Sequence, residues 1–161
     1  MANPSSAPLV VAASLVLAMI LRILPWPLEW SFYNPDWVLL VLVYWNMAIP
    51  DRVGVGTAWF SGLLTDALTG RLLGQHALAY ALVAYVCIRL HRRLRLYPLS
   101  QQALMVLGFQ LASQLLIFWT QSVKYSAILG GQYWLPSLVG TLTWPLVFVL
   151  LRRVRRRFNI F

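Results

Sequence analysis

Six apolar runs fill most of this sequence, and each is cut short by proline, glycine or a basic residue. The first, Pro8 to Leu24, stops at Pro25-Trp26-Pro27, where two prolines end a helix. Trp26, Trp30, Phe32 and Tyr33 follow, a composition suited to the membrane–water interface. The second opens on Asn34-Pro35-Asp36, with Asn34 placed to cap, Pro35 at the first helical position and Asp36 at the positive helix end. It continues from Trp37 to Ile49, short for a full span, so tilt or local thinning is expected. The third, Val53 to Leu68, is rich in small residues, contains Asp66 and breaks at Thr69-Gly70-Arg71. The fourth runs from Leu73 to Leu90, the fifth from Ala103 to Val123 and the sixth from Tyr133 to Leu151, where Pro136 and Pro145 predict a late start or a kink.

A soluble fold could not clothe such a chain. Only 11% of residues are charged, against roughly 25% in ordinary soluble domains. Disorder is excluded because 60% are hydrophobic. At about 20 residues per span, the length holds five to seven helices and no sizeable soluble domain. The expected fold is all-α and integral to the membrane: a six-transmembrane-helix bundle forming one polytopic domain over residues 1–161.

The net charge of +9 would point to nucleic acid in a soluble domain, but its distribution reads otherwise. Arg89, Arg92, Arg93 and Arg95 form one cluster and Arg152, Arg153, Arg155, Arg156 and Arg157 another, each directly after an apolar run. With the N-terminus inside, these nine and Arg52 face the cytoplasm, while Arg22, Arg71 and Lys124 face outward. Both termini are therefore expected to be cytoplasmic, with no nucleic-acid partner. Met1 to Ala7 lacks the basic residues of a signal peptide, so the first run is expected to be retained. The single cysteine, Cys87, excludes an intramolecular disulfide and reads as a small buried hydrophobe.

Catalytic patterns are lacking. An aspartyl protease needs two facing aspartates, and Asp66 is the only acid well inside a run. His91 lies in an arginine cluster, His76 lies at a helix mouth, and no Gly-x-Ser-x-Gly occurs. No acidic cluster could hold magnesium. No enzyme, metal site or cofactor is expected.

Three constellations remain. Gly54, Ala58, Ser61, Gly62, Thr65, Asp66 and Thr69 share one helix face, either for internal packing or for docking a partner helix. Asp66 is costly in hydrocarbon, and the depth of its position predicts a contact with Arg22 or Arg71; a ligand or proton site is the alternative. Gln110, Ser113, Gln114 and Gln121 mark a face of the fifth helix, for bonds between helices or for a polar cavity that Gln75 and His76 could close. The terminal arginines are either an orientation signal or a site for anionic lipid or an acidic cytoplasmic partner.

Order and spacing carry a resemblance. Pro25-Trp26-Pro27, Pro35-Asp36-Trp37-Val38-Leu39-Leu40, Tyr44-Trp45, Pro50-Asp51-Arg52-Val53-Gly54-Val55-Gly56-Thr57, Gly62-Leu63-Leu64-Thr65-Asp66-Ala67-Leu68-Thr69-Gly70, Leu73-Gly74, Gln101-Gln102-Ala103-Leu104, Phe118-Trp119, Trp144-Pro145 and the basic tail resemble the rod shape-determining protein MreD family across nearly the whole chain. That resemblance implies an inner-membrane scaffold of the elongation (Rod) machinery for lateral peptidoglycan. Its implied partners are MreC, with possible contacts to MreB, RodA and RodA's class B penicillin-binding partner; the arginine clusters add anionic lipids. The implied fold is similar to the six-helix substrate-binding subunits of energy-coupling-factor transporters. The coupling motif Ala-x-x-x-Ala of their first helix falls here in the fourth, at Ala77 and Ala81, which weakens any transport role. A small-molecule or lipid-binding module of transporter type is the alternative.

Overall fold

A computed structural model describes residues 6–123 and 130–160. Six helices follow one another: α1 (Ser6–Ile23), α2 (Trp37–Ala48), α3 (Val55–Thr69), α4 (Gln75–Leu94), α5 (Leu99–Ser122) and α6 (Leu135–Arg157). Short 3-10 turns at Ser31–Tyr33 and Gly131–Trp134 precede α2 and α6, and no strand occurs among the described residues. Lys124, assigned to the outward side, lies outside the described residues. By length and composition, α5 and the 27-residue stretch Gly131–Arg157 are apolar enough to cross a membrane, and Ala7–Ile23 is a shorter apolar helix. The 12 residues of α2 reach only about 18 Å, well short of a hydrocarbon core of about 30 Å.

The shortness of α2 follows from its place. Every residue from Val38 to Met47 is buried, so α2 has no lipid or water face. A helix apolar on all sides is one enclosed by others. Here α1, α4, α5 and α6 pack around it, while α3 lies outermost, mainly against α4. Tyr44 meets Trp45 and Phe148 edge-on, with ring centroids 5.3 and 5.6 Å apart. Trp45 donates its indole N–H to Ser14 Oγ at 2.9 Å, tying α2 to α1.

The small face of α3 is internal. Ala58, Ser61, Gly62, Thr65 and Asp66 are buried, and a Cβ on Gly62 would overlap the Ala77 backbone of α4. Close approach of helix backbones is what small residues permit. This overturns the alternative that this face docks a partner helix, because α4 already covers it. Gly54 stands apart from that contact: it is the N-cap of α3, and a Cβ there would meet nothing.

Helix boundaries correct three sequence expectations. Asp36, not Asn34, caps α2, accepting from Leu39 N–H at 3.2 Å, and Pro35 lies before the helix. Asn34 instead accepts from the Trp37 indole at 2.9 Å and donates to the Arg22 carbonyl at 3.2 Å. Both α4 and α6 extend beyond their apolar runs into the basic clusters, so most of those arginines are helical. Pro136 sits in the first turn of α6, and the helix continues through Pro145.

Candidate functional site

The polar residues of the bundle gather at the end where α1 finishes, α2 begins, α3 finishes and α4 begins. Gly70 closes α3 in the left-handed conformation (φ 64°), and Gly74 is also left-handed (φ 103°). These two positions, costly for residues with a Cβ, fold the chain back within a few residues. The reversal aims the first amides of α4 at Asp66. Gly74 N–H donates to Asp66 Oδ2 at 2.8 Å, and His76 N–H lies 3.1 Å from both carboxylate oxygens. A carboxylate at a helix N-terminus meets both unpaired amides and the positive end of the helix dipole.

From Asp66 a chain of hydrogen bonds crosses to α1 and α2. His76 Nδ1 lies 2.6 Å from Asp66 Oδ1, with both side chains fully buried. His76 Nε2 lies 2.8 Å from Arg22 Nη2. A guanidinium only donates, so Nε2 accepts and the proton sits on Nδ1, donated to Asp66. Arg22 Nη1 pairs with Asp36 Oδ1 at 2.7 Å. Tyr80 Oη donates to the Asp36 carboxylate, 2.7 and 2.8 Å from its two oxygens. Two carboxylates, one guanidinium, one neutral imidazole and one phenol thus clamp four helices together.

The expected bridging contact of Asp66 with Arg22 or Arg71 takes an indirect form. The side-chain partner of Asp66 is His76, and Arg22 reaches it only through that imidazole. Arg71 uses its backbone N–H on the Asp66 carbonyl at 3.1 Å. The physical reason is the short α3–α4 turn, which delivers His76 to Asp66 before any arginine can approach. The sequence reading also missed Tyr80 and took Asp36 only for an acid at the positive end of α2. The four-residue spacing of His76 and Tyr80 puts both on one face of α4 and is the signal that could have found them.

Beside this network lies a cavity of about 590 Å³ that is open at the bundle end. Arg22, Asp36, Arg71, His76, Gln110, Ser113 and Gln114 line it, with Tyr133 and Ser137 opposite. Gln114 Oε1 accepts from Ser137 Oγ at 2.6 Å, and Tyr133 Oη donates to the Gln114 carbonyl at 3.1 Å, joining α5 to the start of α6. Gln110 Nε2 and Ser113 Oγ are buried without a hydrogen-bond partner among the described residues. Gly140 makes room for Gln110, since a Cβ there would overlap its amide. Gln75 is buried but does not line the cavity, and Gln121 is half-buried outside it.

The opposite end is basic. Arg95, Arg152 and Arg155 converge there near the last turn of α2, while Arg92, Arg93, Arg153, Arg156 and Arg157 project from the ends of α4 and α6 as exposed side chains. No group of three histidine, cysteine or acidic side chains that could hold a metal occurs among the described residues.

Comparison with known proteins agrees along the chain. The family model for rod shape-determining protein MreD matches residues 5–154. The rod shape-determining protein MreD of Haemophilus influenzae is 35% identical over 145 residues, which is 90% of each chain. No solved structure matches. The match spans α1, the buried α2, the Asp66 turn and most of α6, and the chain belongs to the MreD family of rod shape-determining proteins, which are structural proteins and not enzymes.

Proposed function

We propose that this protein is a six-span scaffold of the bacterial inner membrane that holds the single transmembrane helix of MreC within the Rod machinery for lateral peptidoglycan. The observation that carries the reading is the MreD match over residues 5–154. Both termini are cytoplasmic in this reading, so the Arg22 end faces the periplasm and the basic end faces the filament of MreB and the anionic inner leaflet. RodA and its class B penicillin-binding partner are then reached through MreC.

The α3 small face is occupied by α4, so the partner helix must use another surface. An apolar groove of about 520 Å³ runs between α1 and α3, lined by Val11, Ala12, Leu15, Phe60 and Leu64. Small and branched side chains beside exposed Trp59 and Phe60 favour helix contact in lipid. Replacing Ala12 by Trp fills the groove. Co-purification of MreC in detergent is expected to fall at least about tenfold, and cells relying on the variant should round up. Undiminished recovery of MreC would rule out this groove.

A second reading rests on the cavity at the Arg22 end, whose buried Gln110 Nε2 and Ser113 Oγ have no partner among the described residues. A hydroxyl-rich or amide-rich small molecule would satisfy both. Replacing Gln110 by Leu separates the readings: loss of rod shape at normal protein level and normal MreC recovery favours the ligand.

A further inference from the structure

The basic end carries a further recess, of about 240 Å³, between the C-terminal turn of α2, the end of α4 and the adjoining segments of α5 and α6. Arg95, Arg152 and Arg155 form its rim, with Tyr44, Met47 and Phe148 beneath. Among the described residues, no acidic side chain lines it. Arg95 is fixed in place: its Nε and Nη2 donate to the Met47 and Ala48 carbonyls at 2.5 and 2.6 Å, capping the negative end of α2. Arg152 and Arg155 have no hydrogen bond or ion pair among the described residues. Tyr44 lines this recess and is 2% exposed, and its hydroxyl has no hydrogen-bond partner among the described residues.

These observations belong together. Among the described residues, three guanidinium groups line one recess without an acidic side chain beside them, and the buried hydroxyl of Tyr44, which also lines it, is unpaired. A tetrahedral oxyanion takes several donors at once and suits guanidinium geometry. The apolar floor of Met47 and Phe148 suits an ester substituent more than a bare ion. We propose that this recess is a phosphate-ester site, with Arg152 and Arg155 as the charge donors, Arg95 as the fixed wall and Tyr44 Oη as the buried donor. The source of the ester is the headgroup of an inner-leaflet lipid or a soluble phosphate ester. The lipid source rests on the orientation proposed above, whereas the phosphate contact does not.

The test is native mass spectrometry of the full, delipidated protein in detergent, titrated separately with phosphatidylglycerol, diacylglycerol and glycerol 3-phosphate. Phosphatidylglycerol should bind and diacylglycerol should not. The pair Arg152→Gln with Arg155→Gln should weaken binding about tenfold, and Tyr44→Phe, which keeps the ring contacts, about threefold. The pair Arg153→Gln with Arg157→Gln removes the same charge outside the recess and should change binding less than about twofold. Binding of glycerol 3-phosphate with the same dependence on these residues assigns a soluble source; binding of the lipid alone assigns the membrane. The proposal is overturned if the control pair loses as much as the recess pair, if diacylglycerol binds equally, or if neither phosphate ester binds.

Discussion

The two ends of the bundle treat charge in opposite ways. At the Arg22 end, Asp36 and Asp66 are both buried or half-buried and bound to named partners. At the other end the arginines of α4 and α6 gather, and Arg95 bonds there to helix carbonyls rather than to an acid. An acid in a low-dielectric interior must be matched, whereas basic residues at a membrane surface can face water and lipid phosphate. The first end is therefore internal architecture, whereas the second leaves most of its arginines exposed. Mutations should be severe at one and mild at the other.

The largest effect is expected at Asp66. Asp66→Ala strips the His76 ring and the Gly74 and His76 amides of their acceptor, and each buried donor left unpaired costs about 1–3 kcal/mol. Thermal unfolding in detergent followed by circular dichroism checks this, and a loss comparable to a surface change would break the contrast. Gly62→Val drives two methyl groups into the Ala77 backbone, at a cost of about 3 kcal/mol in the same assay. A double-mutant cycle of Arg22→Gln and Asp36→Asn should return a coupling of about 1–3 kcal/mol, since the two groups touch. At the basic end, Arg153→Gln should shift stability by less than about 0.5 kcal/mol.

How much was legible in the sequence follows the same division. The six helices were readable because proline, glycine and arginine punctuate the apolar runs, and the boundaries of α2 and α3 lie within two residues of those expected. The ends of α4 and α6 were not, because arginine is a good helix former and a drop in hydropathy does not stop a helix. Asp66 announced its need for a partner, but the partner was set by geometry. Two left-handed glycines deliver His76 to the carboxylate, and nothing in the spacing of Arg22 or Arg71 reveals that. Asp36 looked like an ordinary helix-start acid because its cap role is real. Its second role needs Arg22, which is 14 residues away across an irregular turn. The polar face of α5 was readable from Gln110, Ser113 and Gln114, yet only tertiary packing shows that Gln114 is satisfied by Ser137 while Gln110 is not.

The contrast between the two ends has meaning for function only if they lie on opposite sides of the membrane. Cys87 is fully buried, so replacing it by Ala gives a background without thiols. Single cysteines at Gln132, on the cavity rim, and at Arg157, on the basic end, can then be exposed to a membrane-impermeant maleimide in intact cells whose outer barrier has been opened. Labelling at position 132 and protection at 157, with both labelled after lysis, is the expected result. Labelling at 157 in intact cells, or equal labelling at both, would contradict the orientation and the scaffold reading built on it.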